Sequence, residues 1–149
     1  MMKNMSLLTE DTIVLNAAAV SREEAIDLVG ALLVASGAVE QAYVAAMHER
    51  EADVSTYLGE GIAIPHGSGE ARHLVRRDAL AFVSFPDGVT WDGENAQVAI
   101  GIAATDGRHV QVLADLAAVI LDPARAATLR EAQTPEIVIA ELAPTETPN

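Results

Sequence analysis

The sequence contains no cysteine in 149 residues. That excludes a disulfide framework and a thiolate metal centre. Aromatic residues are scarce: one tryptophan, two tyrosines and two phenylalanines. With half of the residues hydrophobic, a core must therefore be assembled from Ala, Val, Leu and Ile. Basic side chains are also few, nine against twenty-two acidic ones, giving a formal net charge of −13. Such a chain is repelled by nucleic acid and by anionic membranes, and it attracts a basic partner surface. Long apolar runs are missing too. The most apolar stretch, residues 26–39, is interrupted by Asp27, Gly30, Ser36 and Gly37. It falls short of the ~18 uninterrupted residues of a membrane span. The N-terminus lacks the apolar core and small-residue cleavage site of a secretory signal. The expectation is a soluble cytoplasmic protein with no membrane span and no nucleic-acid partner.

The length fits one domain with a sizeable core, expected over residues 6–142, with frayed ends at 1–5 and 143–149. Thr12–Leu15 reads as a short strand. Ser21-Arg22-Glu23-Glu24 is a capping box, predicting a helix to about Ala35 with Gly37 beyond its end. A second helix is expected from about Glu40 to Glu51, with an apolar stripe of Val39, Tyr43 and Met47. Arg50, three residues past Met47, falls on that stripe. Ala79–Phe85 and Val98–Ala103 are short, continuously apolar runs that predict buried strands, with a turn at Pro86-Asp87-Gly88. Asp106 or Gly107 is expected to cap a third helix running through Leu121. Pro123 opens a fourth, and Thr134-Pro135 a fifth that ends near Leu142. Alternating strands and helices give an α/β fold with a mixed sheet flanked by helices on both faces.

The stretch Gly59-Glu60-Gly61-Ile62-Ala63-Ile64-Pro65-His66-Gly67-Ser68-Gly69 poses the functional question. Ile64 precedes proline and is pushed toward an extended backbone, so Gly61–Ile64 should be a strand that delivers His66 at its end, as an exposed ring with small neighbours. Gly67 and Gly69 permit a sharp turn with exposed backbone N–H groups, an anion-binding arrangement. An imidazole with an ordinary pKa near 6.5 is largely neutral at physiological pH, and one ring nitrogen then carries a lone pair. That suits a group that accepts a phosphoryl unit and passes it on, a reaction asking mainly for alignment and charge neutralisation. On spacing alone, a histidine that merely satisfies hydrogen bonds at a strand end explains the stretch equally well.

The run Tyr57-Leu58-Gly59-Glu60-Gly61-Ile62-Ala63-Ile64-Pro65-His66-Gly67-Ser68 closely resembles the phosphorylation-site signature of the phosphotransferase system (PTS) enzyme IIA domains of the fructose–mannitol family. Arg50-Glu51 stands where that family has its upstream arginine. Gly101-Ile102-Ala103-Ala104 followed by His109-Val110-Gln111-Val112-Leu113 resembles the family's second-histidine segment. The likeness spans nearly the whole chain and is strongest to the mannitol-type branch, in which Ser68 replaces a frequent threonine and keeps the hydroxyl.

The resemblance implies a cytoplasmic phosphocarrier without cofactor or metal. His66 would take phosphate from the phosphohistidine carrier protein HPr, as a tele (Nε2) phosphohistidine. It would pass the phosphate to a cysteine of a IIB domain, for import and phosphorylation of a sugar alcohol, mannitol. With no cysteine and no span here, IIB and IIC are expected on other polypeptides. Arg50 would hold the phosphoryl oxygens, for which a planar, always-charged fork is suited. His109 would support the transfer by hydrogen bonding. The bland readings are a helix-end charge for Arg50 and a core histidine for His109. His48 and the basic cluster Arg72-His73-Leu74-Val75-Arg76-Arg77 read as surface, and Trp91 as a packing residue beside a turn. Three other readings compete: a regulatory, nitrogen-type IIA uncoupled from transport, a purely structural adaptor, and a metal module using His66, His73 and His109. The spacing of those histidines matches no common ligand pattern.

Overall fold

The computed structural model describes residues 7–105 and 107–142. The expected frayed ends, and Asp106 as a helix cap, lie outside the described residues. Among the described residues the elements are β1 (Ile13–Val14), α1 (Arg22–Ala35), α2 (Ala42–Asp53), β2 (Tyr57–Gly59) and β3 (Ile62–Ala63). They continue with β4 (Ala79–Trp91), β5 (Glu94–Ala103), α3 (His109–Ile120), α4 (Pro123–Glu131) and α5 (Pro135–Leu142). The strands form one sheet in the order β1-β4-β5-β3-β2. β1–β4 and β3–β5 are parallel, and β4–β5 and β2–β3 antiparallel. The sheet is mixed, as expected.

The local signals explain the helix ends. Ser21 caps α1 by accepting the Glu24 N–H at 3.1 Å. Glu24 reaches back one residue further than a standard capping box, to the N–H of Val20 at 2.8 Å. Gly37 follows the helix with φ 84°, a left-handed stop that glycine takes without penalty. Asp122 accepts from the Ala124 and Arg125 N–H groups ahead of Pro123 at the start of α4. The start of α3 differs from expectation. Arg108, not Gly107, holds the capping position, and no side chain caps the helix there.

The expected turn at Pro86-Asp87-Gly88 is instead an irregularity inside the long strand β4, where the β4–β5 register shifts between Ser84 and Val89. The chain reverses later, at Asp92-Gly93, with φ 55° and 88°. Two consecutive left-handed residues are what a tight two-residue hairpin requires. Proline and glycine mark a bulge as readily as a turn, and the apolar residues on either side decide between them.

Side chains alternate across the sheet. Leu80, Phe82, Val98, Ile100 and Ile102 point to the face covered by α3, α4 and α5. Ala79, Ala81, Val83, Ala99 and Ala103 point to the face covered by α1 and α2. That second face is made of small residues, which lets α1 lie close. At Gly101 the approach is closest: an added Cβ would sit 2.9 Å from Val29 Cβ. We expect Gly101→Ala to lower stability by about 1–3 kcal/mol through overpacking. Urea unfolding followed by Trp91 fluorescence measures this, and an unchanged midpoint would show that α1 shifts at no cost.

Candidate functional site

β3 and β5 run parallel, and their carboxyl ends emerge side by side. Beyond β3 the chain stays paired with β5: the Ile102 N–H donates to Pro65 O at 3.0 Å, and His66 bridges to Ile102. Beyond β5 the chain turns into α3, whose first residue is His109. The two imidazoles meet there, with ring centroids 5.4 Å apart and planes tilted by 58°. They are 43 residues apart in sequence and come together because the strands carrying them are neighbours. In mixed and parallel sheets, the carboxyl ends of such strands are a recurrent place for sites.

His66 is not an exposed ring. Its residue is only 6% exposed. It faces a cavity of about 470 Å³ lined by Arg50, Ser55, Thr56, Tyr57, Leu58, Ile64 and the α3 residues Val110, Leu113, Ala114 and Ala117. Nδ1 lies 2.8 Å from the Ile64 carbonyl. A carbonyl only accepts, so Nδ1 carries the proton and Nε2 the lone pair. Burial pushes the pKa of His66 below its ordinary value. The bond to Ile64 opposes this, Arg50 and His109 reinforce it, and Glu51 opposes it. The net direction is toward a neutral, nucleophilic imidazole.

Gly67 serves a purpose other than a free anion-binding N–H. Its N–H donates to Tyr43 Oη at 2.9 Å, and the Tyr43 hydroxyl donates to Ile102 O at 2.9 Å. Tyr43 thereby ties α2 to β5 and to the residue after His66. A Cβ at Gly67 would lie 2.7 Å from the Tyr43 ring, so the tyrosine leaves room for glycine alone. Arg50 lies at the end of α2 and donates from Nη1 to Val54 O at 2.7 Å. That bond aims the half-buried guanidinium into the cavity that His66 faces.

The structure thus brings His66, His109 and Arg50 together. It keeps the other histidines apart: His48 Nε2 lies 2.7 Å from Asp27, and His73 Nδ1 lies 2.9 Å from Glu70 O. Among the described residues no cluster of three His, Cys, Asp or Glu could hold a metal ion. In the basic cluster, Arg76 pairs with Glu40 and Arg77 donates to Ser36 O, so both brace the 36–40 turn. Reading the sequence missed Glu51. It is 2% exposed and accepts from Thr56 N, Thr56 Oγ1 and Trp91 Nε1. A signal was present: Val39, Tyr43, Met47 and Glu51 follow one another at intervals of four, so the apolar stripe ends on a carboxylate.

Comparison with known proteins places this geometry in a family. Residues 6–144 match the family model described as "Phosphoenolpyruvate-dependent sugar phosphotransferase system, EIIA 2". The chain belongs to that family of phosphotransferase components. It is similar to a mannitol-specific phosphotransferase enzyme IIA component of Staphylococcus aureus, 47% identical over 111 residues, which are 74% of this chain and 77% of that protein. It is also similar to a multiphosphoryl transfer protein of Xanthomonas campestris pv. campestris, 42% identical over 136 residues. Those residues are 91% of this chain but only 16% of that much longer protein. Among solved structures, the complex of enzyme IIAMtl and phosphorylated enzyme IIBMtl from Escherichia coli superposes with a TM-score of 0.84 at 37% identity. The match covers 92% of this chain and 99% of the matched chain. No helix among the described residues is long and apolar enough to cross a membrane.

Because burial holds the His66 pKa below its unfolded value, the unfolded chain binds more protons near neutrality. Stability is therefore fully present above about pH 6.5 and is lost as pH falls below it, toward the depressed folded value. Urea unfolding of wild type and His66→Gln should differ accordingly, with wild type losing more stability on acidification. Equal pH slopes would contradict a buried, neutral His66.

Proposed function

We propose that His66 is the phosphoacceptor of a mannitol-type PTS IIA phosphocarrier. In this reading Nε2 attacks the phosphorus of phospho-HPr, the phosphoryl bond to the donor histidine breaks, and a phosphoramidate forms at Nε2. A cysteine thiolate of the cognate IIB domain then attacks the same phosphorus, and the neutral imidazole is restored. Charge changes hands without oxidation or reduction, and no cofactor is needed.

The observation that carries this reading is the hydrogen bond from Nδ1 to Ile64 O. It commits one nitrogen and leaves the other as a nucleophile beside Arg50. A dianion arriving in a protein of net charge −13 needs a local cation, and Arg50 supplies it with a planar fork of donors. His109 stands within reach of a group on His66 and acts as a hydrogen-bond donor to it. Exposed Val110, on the cavity wall, and Val54, next to the Arg50 anchor, offer an apolar rim for the carrier proteins. The similarity to mannitol-specific IIA components and to a IIA–IIB complex favours coupling to a transporter of that class over the nitrogen-type regulatory alternative. A cytoplasmic location follows from this role.

Incubation with phospho-HPr and mapping of the modified residue by mass spectrometry tests the reading. Label is expected on His66 and absent from a folded His66→Ala variant. Full labelling of that variant, at His109 or His73, would overturn it. Arg50→Lys keeps the charge but loses the fork, and should slow transfer about tenfold or more, roughly 1.4 kcal/mol of barrier. Wild-type rates in that variant would reduce Arg50 to a helix-end charge.

A further inference from the structure

The bond from His66 Nδ1 to Ile64 O belongs to a longer connection. Ile64 donates its own N–H to Thr56 O at 3.0 Å. Thr56 gives its N–H to Glu51 Oε2 and its hydroxyl to Glu51 Oε1, both at 2.6 Å. Trp91 Nε1–H reaches Oε2 at 2.9 Å. A buried carboxylate is costly away from water unless its lone pairs are filled, and here three donors fill them. Among the described residues no arginine or lysine forms an ion pair with Glu51. For packing alone an apolar side chain would serve better than a buried carboxylate. A carboxylate in this place calls for a reason at the site itself.

Two features supply one. Glu51 is the residue after Arg50 on α2, and the Thr56 it holds lines the cavity together with Arg50 and His66. The Glu51–Thr56 bonds also close the loop whose Val54 carbonyl aims Arg50. We propose that Glu51 is a positioning residue for phosphoryl transfer: through Thr56 and Ile64 it holds the His66 imidazole, and its fixed charge balances the Arg50 cation beside the ring. This rests on His66 being the phosphoacceptor. The charged and titratable groups around His66 are Arg50, Glu51 and Tyr43 from α2, Tyr57 from β2 and His109 from α3. Burial, Arg50 and His109 all weaken the basicity of the ring, and Glu51 acts against them. A more basic imidazole is the better nucleophile toward phosphorus, as Brønsted behaviour requires.

Glu51→Gln isolates the charge. Its amide oxygen can accept from Thr56 N and Trp91 Nε1, and its amide N–H can donate to a reversed Thr56 hydroxyl, so all three contacts have a counterpart. Two quantities are read on the full chain: the His66 ring titration by NMR, which needs no partner, and the rate of phosphoryl acceptance from phospho-HPr. The titration should move to lower pH by about half a unit or more, and the rate should fall about three- to tenfold. Thr56→Val keeps the charge and cuts the hydroxyl link. It should slow acceptance while leaving the titration nearly in place. A Glu51→Gln protein with wild-type rate, whatever its titration, overturns the proposal. If Glu51→Gln does not fold, as judged by Trp91 fluorescence, Thr56→Val decides: slower acceptance supports the proposal and a wild-type rate overturns it. A wild-type chain that takes no phosphate at His66 overturns the phosphoacceptor reading instead. The titration then still decides whether Glu51 acts on the ring.

Discussion

The parallel pairing of β3 with β5 is the constraint on which the rest of the site depends. It sets two carboxyl strand ends side by side, and each leads within a few residues to a histidine. β3 itself is only two residues long and could not hold this register alone. It is held by β5, which is long, paired over most of its length with β4 and packed on both faces by helices. The stable centre of the sheet thus carries the short strand that delivers His66. Tyr43 then locks the arrangement from α2, with one hydroxyl that serves both Ile102 and Gly67.

The electrostatics follow from burial. A covered imidazole loses its proton more readily than a solvated one, and the neighbouring guanidinium adds to that. The result is a neutral imidazole beside a guanidinium in a strongly acidic protein. The cavity wall beside the ring is mostly apolar, so charges there interact more strongly than they would in water.

Much of the fold was legible because its signals are local. The Ser21 cap, Gly37, Pro123 and Pro135 mark helix ends, and the buried strands read as continuous apolar runs. The full length of the β4–β5 hairpin was not, because Pro86-Asp87-Gly88 imitates a turn and cuts the first strand short, although the turn read beside Trp91 is where the chain reverses, at Asp92-Gly93. At the site, the segments around His66 and His109 and the position of Arg50 stood out by resemblance. Their nearness in space depends on strand order, which local sequence does not encode. Glu51 escaped for the same reason. Its place at the end of the Val39–Met47 stripe points it inward, but its partner Trp91 is 40 residues away and the bond depends on how the sheet is assembled. The burial of His66 also ran against expectation, since small neighbours suggest openness when in fact Tyr43 and α3 close over them.

The most direct measurement is on the phosphorylated wild-type protein: which imidazole nitrogen of His66 bears the phosphorus, read from nitrogen-15 and phosphorus-31 NMR. With Nδ1 committed to the Ile64 carbonyl, the phosphoryl group belongs on Nε2. Phosphate on Nδ1 would require that bond to break, and would contradict the arrangement from which the function has been inferred.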